Sequence, residues 1–143
     1  MKNQQDLQRQ LQSLNFLQQQ FEFLKNQIEI IDNSLQLVKT TKKTIEGLTE
    51  LKSGDELVVP IGGMAYIKAN ILESNKILVY IGSDVIIEKN YEESTDYIDE
   101  LIKRHNEQRE LLVNQYIQLD SHIKSITPRV QQQLSQFQDG LKK

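Results

Sequence analysis

Apolar residues recur at alternating steps of three and four through both ends of this chain. That spacing leaves a pair of helices as almost the only way to bury them. In the first segment Leu7, Leu14, Phe21, Ile28 and Leu35 take the a positions of a heptad, and Leu17, Leu24, Ile31, Val38 and Ile45 take the d positions. Ten of the twelve a and d sites from residue 7 to 45 are apolar, with Gln10 and Lys42 the exceptions. This is the pattern of a coiled coil. A second register runs through Tyr91, Ile98, Ile102, Leu112, Tyr116, Leu119, Ile123, Ile126, Val130 and Phe137. Between the two lies Leu57–Lys89, rich in Val and Ile and punctuated by glycine. Two helices of similar length joined by a folded middle lie antiparallel. The expected class is therefore α+β, a long two-helix coiled coil joined by β-hairpins.

The first helix is expected from about Gln5 to Leu51, with Gly47 and Ser53-Gly54-Asp55 marking its end. Leu11 sits beside the seam and widens it. The second starts near Asn90, a good N-cap, with Glu93 placed to complete a capping box. It runs to about Gln138, with Gly140 as terminator. Pro128 lies inside it, and a kink or short break is expected there, because proline removes a backbone hydrogen bond and clashes with the preceding turn. Roughly 45 helical residues give an arm on the order of 65–70 Å, a length suited to reach. The segments are 1–52 (helix), 53–90 (hairpins) and 91–143 (helix), together one domain.

The middle reads as four short strands: Glu56–Pro60, Met64–Leu72, Lys76–Ile81 and Val85–Lys89, with turns at Gly62-Gly63, Glu73-Ser74-Asn75 and Gly82-Ser83-Asp84. Ile77, Val79 and Ile81 share one face of the third strand and Leu78 and Tyr80 the other, so that strand is apolar on both sides, like one buried in a larger sheet. Such short hairpins leave open edges. Pairing with strands of other subunits satisfies those edges, through Val58, Val59, Ile67 and Ile71 of the first hairpin and Val79, Ile81, Val85 and Ile87 of the second. A self-contained small sheet folded onto the helix bases is the alternative.

Composition narrows the classes further. At 143 residues with net charge −3, the chain has no segment basic enough to serve as a phosphate-binding face, so nucleic acid is not expected as a partner. There is no cysteine, hence no disulfide, thiolate nucleophile or Cys-containing zinc site. The first residues lack the apolar core of a signal peptide, and the densest apolar run, Ile77–Ile81, is far shorter than a membrane span. A soluble, cytoplasmic protein is expected, with no membrane partner.

No catalytic constellation emerges, and no enzyme, cofactor or metal site is expected. His105 and His122 are seventeen residues apart on one helix, about 25 Å along its axis, so they cannot share a metal. His105 falls at a seam position and reads as a tolerated polar break. Gly62-Gly63 lacks the lysine and following helix of a phosphate loop and reads as a turn. Asp96, Asp99 and Glu100 form a solvated helix face rather than a calcium loop. Lys42, Arg109 and Gln133 interrupt the seams and set register.

Antiparallel folding brings Leu7, Leu11 and Leu14 near Val130, Leu134, Phe137 and Leu141. These exceed what a narrow two-stranded seam buries, so the tip is expected to bind apolar surface of other proteins. Simple fraying with partial exposure is the alternative.

Leu57-Val58-Val59-Pro60-Ile61-Gly62-Gly63, Tyr66-Ile67-Lys68-Ala69, Val79-Tyr80-Ile81-Gly82 and Val85-Ile86-Ile87-Glu88-Lys89 resemble the hairpins of a prefoldin α-class subunit of the archaeal type. Two hairpins between the helices resemble the α class, whereas the β class carries one. Asp84 departs from the pattern, where the family often has a second glycine; aspartate tolerates left-handed backbone. The resemblance implies an ATP-independent chaperone without a cofactor. In it two α and four β subunits join strands into a β-barrel platform, and six coiled-coil tips hold non-native proteins and pass them to a group II chaperonin. A structural or scaffolding coiled coil, or a filament-forming subunit without general chaperone activity, is the competing class.

Overall fold

The computed structural model describes residues 2–141 and the side chains of residues 4–140. Six elements follow in chain order: α1 (Lys2–Leu48), β1 (Glu56–Pro60), β2 (Tyr66–Asn70), β3 (Lys76–Gly82), β4 (Val85–Asn90) and α2 (Tyr91–Leu141). The chain divides into two compact units, each built from both helices.

The first unit pairs α1 up to Asn33 with α2 from Asn106 onward. Leu7 and Leu14 pack with Val130 in one buried cluster. Phe21 stacks on Tyr116, with ring centroids 4.4 Å apart and planes 24° apart. Arg109 meets Asp32 across the seam. As α1 advances, its partners on α2 step backward, so the segments run antiparallel. The contacts fix the α2 lettering: Ile102, Tyr116, Ile123 and Val130 at a, Ile98, Leu112, Leu119 and Ile126 at d.

The second unit holds α1 from Ser34, both hairpins, and α2 up to His105. Leu35, Ile45 and Ile98 form its buried helical seam. Lys42 Nζ donates to Asp99 Oδ1 at 2.6 Å, so this seam interruption is matched from the facing helix. Tyr91 Oη donates to the Leu48 carbonyl at 3.3 Å, satisfying one acceptor of the α1 terminus. At the start of α2, the Asn90 and Glu93 side chains each accept from the other's backbone N–H, at 2.8 and 3.3 Å respectively. The sequence spacing N-x-x-E closes this reciprocal cap. Ser94 is fully buried, and its hydroxyl donates to the Asn90 carbonyl at 2.7 Å.

β1 pairs antiparallel with β2, Val58 opposite Lys68, and β3 with β4, Leu78 opposite Glu88. The two hairpins are separate two-stranded sheets. At the second turn Gly82, Ser83 and Asp84 all have positive φ, 106°, 50° and 59°. Two successive left-handed residues at the turn centre match the twist of the flanking strands.

Two expectations are corrected. Gly140 does not terminate α2, which continues to Leu141. Pro128 causes no break: α2 is continuous around it, since the fixed φ of proline is itself helical and only one hydrogen bond is lost. Within the single chain β4 alone pairs with β3, so Leu78 and Tyr80 are exposed while Val79 is buried. Element ends also move by a few residues: α1 closes at Leu48, and β2 is confined to Tyr66–Asn70.

Candidate assembly and binding surfaces

Short strands rich in β-branched and aromatic residues form hairpins readily but bury little. Within the second unit this leaves many large apolar side chains in the open. Val58, Tyr66 and Ile67 on the first hairpin are 60%, 64% and 48% exposed. Leu78, Tyr80, Ile81, Val85 and Ile86 on the second are exposed as well, and Met64 and Leu72 in the loops almost wholly so. The assembly residues read from sequence fall into three groups. Val58, Ile67, Ile81 and Val85 are exposed, Val59, Ile71 and Ile87 are half-buried, and Val79 is buried. Each sheet has two strands, so each strand keeps one outer edge of backbone N–H and C=O groups without a ladder partner. Charge does little to blunt those faces. Lys68–Glu56 and Lys76–Glu88 are cross-strand ion pairs at 3.3 and 2.8 Å. The bond to Glu88, with a second to Glu73, raises the Lys76 pKa.

At the end of the first unit the expected binding residues lie largely inside. Leu7, Leu14 and Val130 are buried, and Leu11, Leu134 and Phe137 pack half-buried against them. The idea of an apolar excess standing open at this end is thereby corrected: the seam takes these side chains in. Leu141 falls outside the described side chains. Beside the cluster an open concavity is lined by Leu7 and Phe137 with Asp6, Arg9, Gln10, Gln133 and Gln136.

Arg109 and His105, two polar residues of the seam, both have partners. Arg109 donates two hydrogen bonds to the Asp32 carboxylate, which raises the arginine pKa further. His105 is half-buried, with Nδ1 2.7 Å from the Leu101 carbonyl, a local bond that fits a structural residue. Among the described residues no group of three or more His, Asp or Glu is placed to hold a metal ion, and no helix is long and apolar enough to cross a membrane.

A family model described as prefoldin subunit matches residues 5–136. The chain belongs to the prefoldin family. It is of the α class, as its two hairpins and its relatives agree. The prefoldin subunit alpha of Methanopyrus kandleri is 36% identical over 103 residues, covering 69% of this chain and 66% of that protein. The matched stretches span between half and two thirds of the first curated relatives. Among solved structures, a chain of filamentous PFD from Methanocaldococcus jannaschii superposes with a TM-score of 0.72 at 24% identity, over 82% of this chain and 97% of that one. The prefoldin beta subunit from Thermococcus strain KS-1 superposes with a TM-score of 0.58 at 16% identity, over 89% and 90%. These two likenesses concern the prefoldin fold.

Sequence reading passed over one set of exposed residues. Phe16, Phe23 and Ile30 of α1 lie outside the seam and are more than half exposed. Their seven-residue spacing is the sequence signal for them, masked by the stronger a and d pattern.

Proposed function

We propose that this chain is the α subunit of an ATP-independent hexameric chaperone, two α with four β-class subunits, that works in the cytoplasm. The observation that carries the proposal is the pair of separate hairpins, open at their edges and apolar on faces that nothing in the single chain covers. Strand addition from neighbouring subunits would satisfy those edges and close a β-barrel platform. The coiled coils would then hold non-native proteins and deliver them to a group II chaperonin. The cluster of Leu7, Leu11, Leu14, Val130, Leu134 and Phe137 would contribute once the helix ends part, since three of its members are buried while the seam is closed. Individually weak contacts repeated on several coiled coils give avidity and allow release without nucleotide.

The test is light scattering of a chemically denatured protein diluted into buffer, with this chain alone and with a β-class partner, and mass read by multi-angle scattering on the same samples. A six-chain species that suppresses aggregation without ATP is expected. A discrete species or filament with no suppression would support the scaffold reading instead, for which open hairpin edges are equally suited. Deleting residues 1–12 and 130–143 in an assembled complex is expected to reduce suppression; unchanged suppression removes the helix-end assignment.

A further inference from the structure

The two flanks of the coiled coil in the first unit differ in chemistry. On one flank lie the c and g positions of both helices. From α1, between residues 13 and 30, these are Ser13, Phe16, Gln20, Phe23, Gln27 and Ile30. From α2, between residues 108 and 125, they are three glutamines, Leu111, His122 and Ser125, so no Asp, Glu, Lys or Arg appears on this flank within these two spans; Asp6, Arg9 and Arg129 lie on it nearer the helix ends. The opposite b and e positions carry Glu22, Lys25 and Glu29 from α1 and Glu110, Asp120 and Lys124 from α2. Four of the five large exposed apolar residues of this unit, Phe16, Phe23, Ile30 and Leu111, fall on the uncharged flank; Ile117 is the exception. Phe23 also borders a groove between the helices, where Leu24 and Leu119 are rimmed by Gln20, Gln115 and Gln118. His122 is its titratable lining residue.

We propose that this uncharged flank is a docking surface for extended segments of non-native polypeptide, a second client-holding surface separate from the helix ends. The inference rests on the chaperone reading above. Its occupant follows from the chemistry of the surface. Glutamine amides both donate and accept, so they match the free peptide groups of an extended chain whatever its sequence. A docking helix has already satisfied its own backbone and offers those amides little. The missing charges remove the desolvation cost that an apolar segment would meet on the other flank. Spacing agrees: seven helical residues place the phenyl rings about 10.5 Å apart. Unfolded chains populate the polyproline II conformation, in which every third side chain returns to one face after about 9.3 Å.

The experiment uses the full chain in its assembled state, and the probe is a reduced, carboxymethylated protein that cannot fold. Phe16→Gln, Phe23→Gln and Ile30→Gln are combined; glutamine keeps helix propensity, and the seam is untouched. Ile117→Gln is the control on the charged flank. Retained helix content by circular dichroism and unchanged mass come first. The triple variant is expected to bind the probe about tenfold more weakly, from the lost apolar contact, and the control within about twofold of the unaltered chain. The residual affinity of the unaltered chain should change little with salt, because no charge lines the surface. A photoreactive phenylalanine analogue at position 23 should cross-link to the probe, and one at position 117 should not.

Equal binding by the triple variant and the unaltered chain overturns the inference. So does a changed assembly mass, which would make this flank a contact between copies of the chain. Absence of any probe binding by the unaltered chain overturns the chaperone reading itself, a result distinct from the other two.

Discussion

At the scale of single residues, two positions carry more of the fold than their size suggests. Asn90 ends β4 and caps α2: its side chain and backbone N–H both pair with Glu93, and its backbone carbonyl accepts from Ser94. Asn90→Ala is expected to cost about 1–2 kcal/mol in denaturant unfolding, the loss typical of an N-cap. The second turn works in the opposite direction. Ser83 and Asp84 both sit in left-handed backbone, which is unfavourable for residues with a Cβ. Replacing the pair with Asn-Gly, the favoured residues for such a turn, is expected to stabilise the hairpin by about 1 kcal/mol. A thermal melt of the double variant checks this; an unchanged or lower midpoint would show that the turn is not under strain.

At the scale of elements, the seam shows how charge sits in an otherwise apolar pattern. The hydrogen bond to Asp99 raises the Lys42 pKa above its ordinary value of 10.5. A group with a raised folded pKa contributes in full below its unfolded value and loses that contribution as pH rises through the folded one. The difference in melting temperature between the unaltered chain and Lys42→Gln is therefore expected to shrink above pH 10.5, the ordinary lysine value. The effect is small, since both partners are partly exposed and screened. Arg109→Leu is expected to raise the midpoint, as an apolar a position packs better than a solvated pair, while relaxing the register that the Asp32 contact fixes; a melt alongside exchange of backbone amides would show both.

Helices and turns were legible in the sequence because their signals are local. Heptads gave the seam, the N-x-x-E spacing gave the cap, and glycine marked the hairpins. What escaped was non-local. Whether Leu7, Leu14 and Val130 stand open or close on one another depends on the facing helix, which no local pattern describes. β3 was legible in the sequence: its second apolar face signals a neighbour that this chain does not itself supply. Gly140 and Pro128 misled because α2 runs on through both despite their unfavourable local preference.

At the scale of the whole molecule, the exposed hairpin faces predict how the chain behaves with others. Leu78→Glu with Ile86→Lys places charge on a face exposed in the single chain. These changes should leave helix content intact and abolish assembly with a β-class partner, read as mass in solution. Assembly of normal mass would mean that the second hairpin is not an interface.

The separation of the two hairpins has a counterpart in polymer chemistry. A subunit with two independent joining elements is a bifunctional monomer, able to link onward in either direction. A partner with one hairpin is a monofunctional end-capper. The size of the product is then governed by the ratio of the two kinds of chain in the mixture rather than by the strength of any one joint. Raising the share of one-hairpin chains should shift the mass distribution downward toward a closed species, and withholding them should let it climb.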